Sequence, residues 1–419
     1  MCPLRPEASR LIEKFKQEFY WALLFGRTEE KKIMQAKTIK GSSTQEIKVA
    51  LEERIADGYQ PTLAIVFISI NQDRKYVLEI LHQKGIDIIG ATSSTEFTDG
   101  YQEEGSIVIL LLDMKREYYT ILFQEVGTMT LQDATAQMAQ SAKRHFNNPA
   151  FILFSTGLSV SGKMMDGETL IRSIETVVGA HVNMFGGMAG DDLTFTGTYA
   201  FTYNQSTDYG MAVLVLNEDH VSLNGMAISG WKPIGVTRTV TRSEGNMIYT
   251  IDGQPALDLY IRYLGSVLPS ADNKLDFFEN LGTQYPIQIE RADREALMCN
   301  PIGFDREEKA LVCEVAVPQG SRFRFSTPPD FDIVETVIRK ARELKEGVQA
   351  EADAVLIFSC AGRLAALGPM AQLENEGLAE VWDAPMAGFY SYGEFGPSAN
   401  GKHEFHSTTN SWVALKEKS

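Results

Sequence analysis

The sequence predicts an α/β fold in which mixed sheets are covered by helices, built from a helix-strand-helix-strand-loop-strand unit used repeatedly. Two observations carry this expectation. An apolar strand ending in Ser recurs as AIVFIS (64–69), FILFS (151–155) and VLIFS (355–359). Each copy leads, through a polar or helical stretch, to a second apolar step that enters a small-residue loop closing on an acid. The three loops read GATSSTE (90–96), GGMAGDD (186–192) and GFYSYGE (388–394).

Taken in order, residues 1–39 read as an N-terminal helical segment. The first unit opens with the helix STQEIKVALEERIADG, where Ser43 or Thr44 is placed as a cap and Ile47, Leu51 and Ile55 recur at helical spacing. The equivalent helices of the later units are TLQDATAQMAQSAKRHF and DIVETVIRKARELKEG. Gly90, Gly186 and Gly388 align, with Glu96, Asp192 and Glu394 at the same offset after them. Closing strands follow as IVILLL (107–112), AVLVL (212–216) and SWVAL (411–415). A buried strand entering a turn favours Gly and a polar residue on its own account. Agreement of strand Ser, Gly and acid together favours common ancestry of the units. Residues 40–216 hold two units. Residues 217–419 hold an insert, expected to complete the second domain's sheet, and the third unit. Pro255 starts a helix inside the insert, where its missing N–H costs nothing.

Composition narrows the partners. The chain has 419 residues, 44% of them hydrophobic, and a formal charge of -16. That is enough for a large core, and it disfavours nucleic acid and anionic membranes, both of which reward Lys and Arg. No apolar run approaches the ~18 residues of a membrane span, and the opening residues lack the apolar stretch of a signal peptide. A cytoplasmic location is predicted, with no membrane insertion. Four scattered cysteines with no CxxC pair predict reduced thiols. His403 and His406 alternate to opposite faces of an extended segment, so no metal site is expected there.

Candidate chemistry gathers at the strand ends. GLSVSGKM (157–164) resembles a phosphate loop, but Met164 stands where a magnesium-binding hydroxyl is needed, so no nucleoside triphosphate site is expected. In FSCAGR, Cys360 lacks a neighbouring histidine to activate it. Arg363 reads either as a surface residue or as the fork for a ligand carboxylate. Phe389, Tyr390 and Tyr392, with Ser391 among them, precede Glu394 and read either as pocket wall or as alternating core, and Trp231 has the same two readings. Asp191 and Asp192 read as turn residues or, with Glu394, as partners of a ligand amine. The expected crevice lies between the two halves of the chain, with Ser155, Thr156 and Asp192 on one side and Arg363, Tyr390 and Glu394 on the other.

The motifs FGGMAGDD, TGTYAF, GMAVLVL, ISGWKPIG, IDGQPALDLYIRYLG, FSCAGR, MAGFYSYGEFGP and EFHSTT, in that order, resemble the FIST family of bacterial signal-transduction proteins. The resemblance runs from about residue 40 to the end. It implies a sensory domain, with an N-terminal region over 40–216 and a C-terminal region within 217–419. Such a domain would bind a small ligand such as an amino acid and signal to a separate partner, a histidine kinase or another signalling protein. It implies no enzyme. Two alternatives stand beside it: a haem-based nitric oxide sensor regulating a histidine kinase, with His406 as the candidate haem ligand, and an enzyme using Cys360 and the loop acids.

Overall fold

The computed structural model describes residues 34–265, 274–292, 294–330 and 332–418. The helical segment expected over 1–39 lies outside the described residues up to residue 33, and from Gln35 onward the chain is strand. The first unit runs β1 (Gln35–Gly41), α1 (Thr44–Ile55), β2 (Leu63–Ser69), α2 (Arg74–Gln83), β3 (Asp87–Ser93), the hairpin β4 (Glu96–Thr98) and β5 (Tyr101–Glu103), and β6 (Ile107–Asp113). Its helix α1 begins where expected. Ser43 Oγ accepts from Glu46 N–H at 3.3 Å, and the Glu46 carboxylate reaches back to Ser42 N–H at 3.0 Å, satisfying two otherwise orphaned donors.

The second unit repeats this order as β7 (Tyr119–Glu125), α3 (Leu131–His145), β8 (Pro149–Ser155), α4 (Gly167–Val178), β9 (Met184–Met188), β10 (Ala200–Thr202), β11 (Ser206–Thr207) and β12 (Gly210–Asn217). The third opens with β13 (Val221–Ile228). The insert follows as β14 (Pro233–Glu244), β15 (Met247–Ile251), β16 (Gln254–Pro255), α5 (Ala256–Leu264), α6 (Lys274–Phe277), β17 (Ile287–Ile289), β18 (Leu297–Cys299), β19 (Pro301–Asp305), β20 (Ala310–Cys313) and β21 (Arg322–Ser326). The unit then resumes with α7 (Asp332–Val348), β22 (Ala354–Cys360), α8 (Ala361–Leu367), α9 (Met370–Trp382), β23 (Met386–Ser391), β24 (Glu394–Pro397), β25 (His403–His406) and β26 (Asn410–Glu417). The unit sheets are ordered β1-β6-β2-β3, β7-β12-β8-β9 and β13-β26-β22-β23, the same topology three times. Each opens with a strand: the sequence reading missed β1 and β7, and it placed the strands around β13 in the insert. The insert was expected to complete a neighbouring sheet. Instead, β14 to β21 form an eight-stranded sheet of their own.

The three glycines sit at one register position. Gly90 faces Val66, Gly186 faces Leu153 and Gly388 faces Ile357 across parallel pairs. A Cβ at each would come within 2.2, 1.9 and 2.5 Å of that partner's carbonyl oxygen, so only glycine allows the approach. The strand serines do not share a register. Val66 pairs with Gly90 as Leu153 does with Gly186, so Ile68 corresponds to Ser155 and Ser359, while Ser69 corresponds to Thr156 and Cys360.

After its glycine strand each unit gives its short hairpin to another unit. β4 and β5 extend the third unit's sheet through β23, β24 and β25 extend the second's through β9, and β10 and β11 extend the first's through β3. The exchange closes into a ring. Phe97 pairs with Gly388, Phe395 with Gly186 and Phe201 with Gly90, so each hairpin lays a phenylalanine opposite a neighbouring unit's glycine. The same register makes Glu96, Glu394 and Ala200 equivalent, which corrects the expected place of Asp192: it lies in the longer loop 189–199.

The inner faces of all three sheets bury one shared core. At its centre Phe67, Phe154 and Phe358, equivalent residues of β2, β8 and β22, form a triangle with centroids 5.8, 6.4 and 6.0 Å apart. Outer clusters lie under each unit's helices, and that of the second unit is continuous with the insert. Among the described residues no helix is long and apolar enough to cross a membrane.

Candidate functional site

An opening with aromatic, thioether and polar walls lies where the ends of β8, β9, β22 and β23 meet the insert. It is a cavity of about 580 Å³. The second unit contributes the turn 157–165 and the loop after β9. The third contributes Cys360, Ala361 and Gly362 at the end of β22, Ser391 and Tyr392 at the end of β23, and Phe405. The insert contributes Phe278, Ile302, Glu314 and Val315.

Local chemistry explains each wall. The stretch that resembled a phosphate loop is a tight turn, closed by Ser159 N–H to Lys163 O at 2.9 Å and by pairing of Leu158 with Met164. Helix α4 starts later, capped by Asp166, whose carboxylate accepts from Thr169 N–H at 3.0 Å and would repel a phosphate. Loop 189–199 is organised by buried Asp191, which accepts from the N–H groups of Phe195 (3.1 Å), Thr196 (2.6 Å) and Gly197 (3.0 Å) and from the Tyr392 hydroxyl. These bonds hold Leu193 and Phe195 at positive φ and keep the Phe195 ring stacked on Tyr392 at 5.5 Å, with Phe278 edge-on to Phe195 at 6.3 Å.

On the floor, Glu314 Oε1 accepts from Asn300 N–H at 2.7 Å, from Asn300 Nδ2 at 3.0 Å and from the Ser407 hydroxyl. Its Oε2 has only the shared Asn300 Nδ2 at 3.0 Å. Burial raises the Glu314 carboxyl above its ordinary range against these donors. Cys360 lies beside it. Burial, then the nearby Glu394 and Glu314 carboxylates, push its thiol far up, so it stays protonated and weakly nucleophilic.

Of the candidate ligand residues singled out from sequence, Cys360, Ser391 and Tyr392 line this cavity and the others do not. Arg363 is fully buried and clamps Glu374 through two bonds of 2.8 and 2.5 Å, with Nη1 donating to Ser229 O at 2.5 Å. It also stacks at 5.1 Å on Trp231, which is core. No fork remains for a ligand carboxylate. Phe389 packs in the central core, 4.7 Å from Phe67, and the Tyr390 hydroxyl bonds Asn375 and Gln102. Ser155 and Thr156 are buried at the end of β8. Asp192 ties its loop to the first unit, accepting from Ser69 Oγ at 2.5 Å and Asn71 Nδ2 at 3.1 Å. His406 is buried, its Nε2–H donates to Gly396 O at 3.0 Å, and burial lowers it to about 4. His406 is buried in β25 and does not line the cavity, so no open face for a haem lies beside it among the described residues. Among the described residues no group of three or more His, Cys, Asp or Glu could hold a metal ion.

Glu394 and Glu96 share one role in two units. Glu394 is bonded to Ser391 Oγ (2.8 Å) and Thr409 Oγ1 (2.7 Å), and Glu96 to Ser93 Oγ (2.5 Å) and Ser106 Oγ (2.9 Å). Ser391 Oγ also lies 3.2 Å from Ser359 O, and Ser106 Oγ lies 3.0 Å from Glu103 O, although each hydroxyl has one proton to give. A protonated carboxyl resolves this by donating to the serine, which then donates to the carbonyl. Burial accordingly raises both carboxyls to about 8. Unfolded, each releases its proton near 4.5. Stability is therefore greatest in mild acid and falls as pH rises from about 4.5 to about 8. Urea midpoints should drop across that window, and a Glu96→Gln/Glu394→Gln variant should flatten the drop. An unchanged slope in the variant would contradict this assignment.

Two family models cover most of the chain: the FIST N domain matches residues 62–254 and the FIST C domain residues 256–397. The chain belongs to the FIST family. FIST domains are associated with sensory signal transduction. In this FIST chain the two matches meet inside the insert, whose β14 and β15 pair with β21 and β20 from beyond the junction, so the matched regions share one sheet. No curated protein matches the chain. Glu314, the one carboxyl group among the described residues on the cavity wall, was missed by sequence reasoning. Its available signal is a lone acid inside the apolar run ALVCEVAV.

Proposed function

We propose that this FIST chain is a cytoplasmic sensor that binds a small molecule in the cavity between its second unit, third unit and insert, and signals to a separate protein such as a histidine kinase. The supporting observation is the cavity itself: apolar and aromatic walls, a few placed polar groups, and a position at the ends of parallel strands from two units. Loop 189–199 is the element suited to report occupancy. Through Phe195 it covers the cavity, and through Asp192 it holds the first unit, so a ligand that favours one loop position shifts the whole assembly. The haem reading finds no support at His406, and a nucleophilic Cys360 finds none in a thiol held protonated.

Binding should be blocked by filling the space. A small-molecule thermal-shift screen is expected to yield hits whose stabilisation, about 2.7 kcal/mol at a hundred times the dissociation constant, disappears in a Val315→Trp variant. Hits that stabilise Val315→Trp equally would remove the cavity from the account.

A further inference from the structure

We infer that the ligand of this cavity is an organic cation with an apolar body, an amine without a carboxylate. The inference rests on the cavity being the sensing site and adds the chemical class it selects. The first observation is charge. Among the described residues lining the cavity Glu314 is the only carboxyl group, and no Lys, Arg or His lines it. Arg363, next in the chain to the lining residue Gly362, is paired with Glu374. A ligand carboxylate would therefore enter a site with no cationic side chain to receive it, facing Glu314. Charge repulsion and desolvation both oppose that.

The second observation is the geometry of Glu314. Oε1 is saturated by the Asn300 backbone, the Asn300 amide and Ser407, which fixes the carboxylate in place. Oε2 keeps acceptor capacity, with one shared amide proton as its partner among the described residues, and Glu314 borders the cavity. A positioned carboxylate oxygen with spare lone pairs is the acceptor an ammonium requires.

The third is the wall. Tyr392, Phe195 and Phe278 form a continuous aromatic side, with Phe405 and the thioethers of Met165 and Met188 completing it. Ring faces attract cations and bury the apolar body of the same molecule. The Tyr392 hydroxyl is held by Asp191, so its ring is oriented before any ligand arrives. The adjoining cleft shares Met164, Glu314 and Phe405 and carries Glu168, Asp166 and Glu290 against Arg172 and Arg291. Arg291 is already bonded to Glu168 and Glu404. The lining of that cleft thus carries three acids against two arginines besides Glu314.

The test is calorimetric titration of the full chain with four probes of one shape: phenethylamine, 2-phenylethanol, 3-phenylpropanoate and phenylalanine. The amine is expected to bind roughly tenfold or more tightly than each of the others, and to lose that advantage in Glu314→Gln while 2-phenylethanol is unaffected. Glu314→Asp, which keeps the charge, should retain part of it and guards against a folding defect. Equal binding by the alcohol, the carboxylate or phenylalanine overturns the inference, as does unchanged amine affinity in Glu314→Gln or no amine binding at millimolar concentration. Amine binding that survives in Val315→Trp would instead fault the cavity reading, so the two failures are told apart.

Discussion

Arg363→Ala is expected to destabilise the protein by about 3–5 kcal/mol, because it strands a buried carboxylate. Arg363 and Glu374 have side-chain exposures of 0% and 1%, and the guanidinium also serves the carbonyl oxygens of Ser229 and Thr408. Without it Glu374 keeps only the Asn410 amide, at 2.8 Å. Replacing both partners by apolar residues of similar volume, as in Arg363→Met/Glu374→Met, should cost less than the single change, since no unpaired charge remains. Chemical denaturation of the three proteins checks this. A loss below about 1 kcal/mol for Arg363→Ala, the range of an exposed pair, would mean that the arginine is available to a ligand after all.

Phe154→Ala, at the centre of the three sheets, is expected to cost about 3–5 kcal/mol and to do so in one cooperative transition. Its ring meets Phe67 of the first unit and Phe358 of the third, all fully buried, so the cavity it leaves is shared by every unit. The exchanged hairpins couple the units further, because no sheet is completed by its own unit alone. Unfolding followed by fluorescence and by far-ultraviolet circular dichroism should therefore give coincident curves in both wild type and variant. Separate transitions would show that the units hold together less tightly than their common core requires.

The repeat was legible because its signals are local. Buried parallel strands read as unbroken apolar runs, and Gly90, Gly186 and Gly388 mark a backbone approach that only glycine permits. The opening strands of the first two units were not legible. β1 reads QAKTIKG, a largely polar strand at the edge of its sheet, and nothing in that string distinguishes it from a loop. The hairpin exchange depends on pairings such as Phe97 with Gly388, far apart in sequence, which no local pattern encodes. That is why the acid of the second unit was misplaced: loop 189–199 is longer than its counterparts, so counting from Gly186 reaches Asp192 before the equivalent strand begins at Ala200.

Most of the side chains read from sequence as site candidates lie away from the cavity. Strand ends gather ligand groups, and the meeting place of the second and third units follows from that rule. Which side chains face the opening depends on what else competes for them. Arg363 was claimed by Glu374, eleven residues on and across a helix boundary, and Glu394 by Ser391 and Thr409. Glu314 came from the insert, where sequence reasoning had named only Trp231 as a site candidate, and its Asn300 and Ser407 partners come from two other segments.

The most direct measurement of the central claim is calorimetric titration of phenethylamine into the wild-type chain and into Val315→Trp under identical conditions. The account predicts saturable binding to the wild type with one site per chain, and none to the filled variant. Equal heats and equal affinity in the two proteins would contradict it.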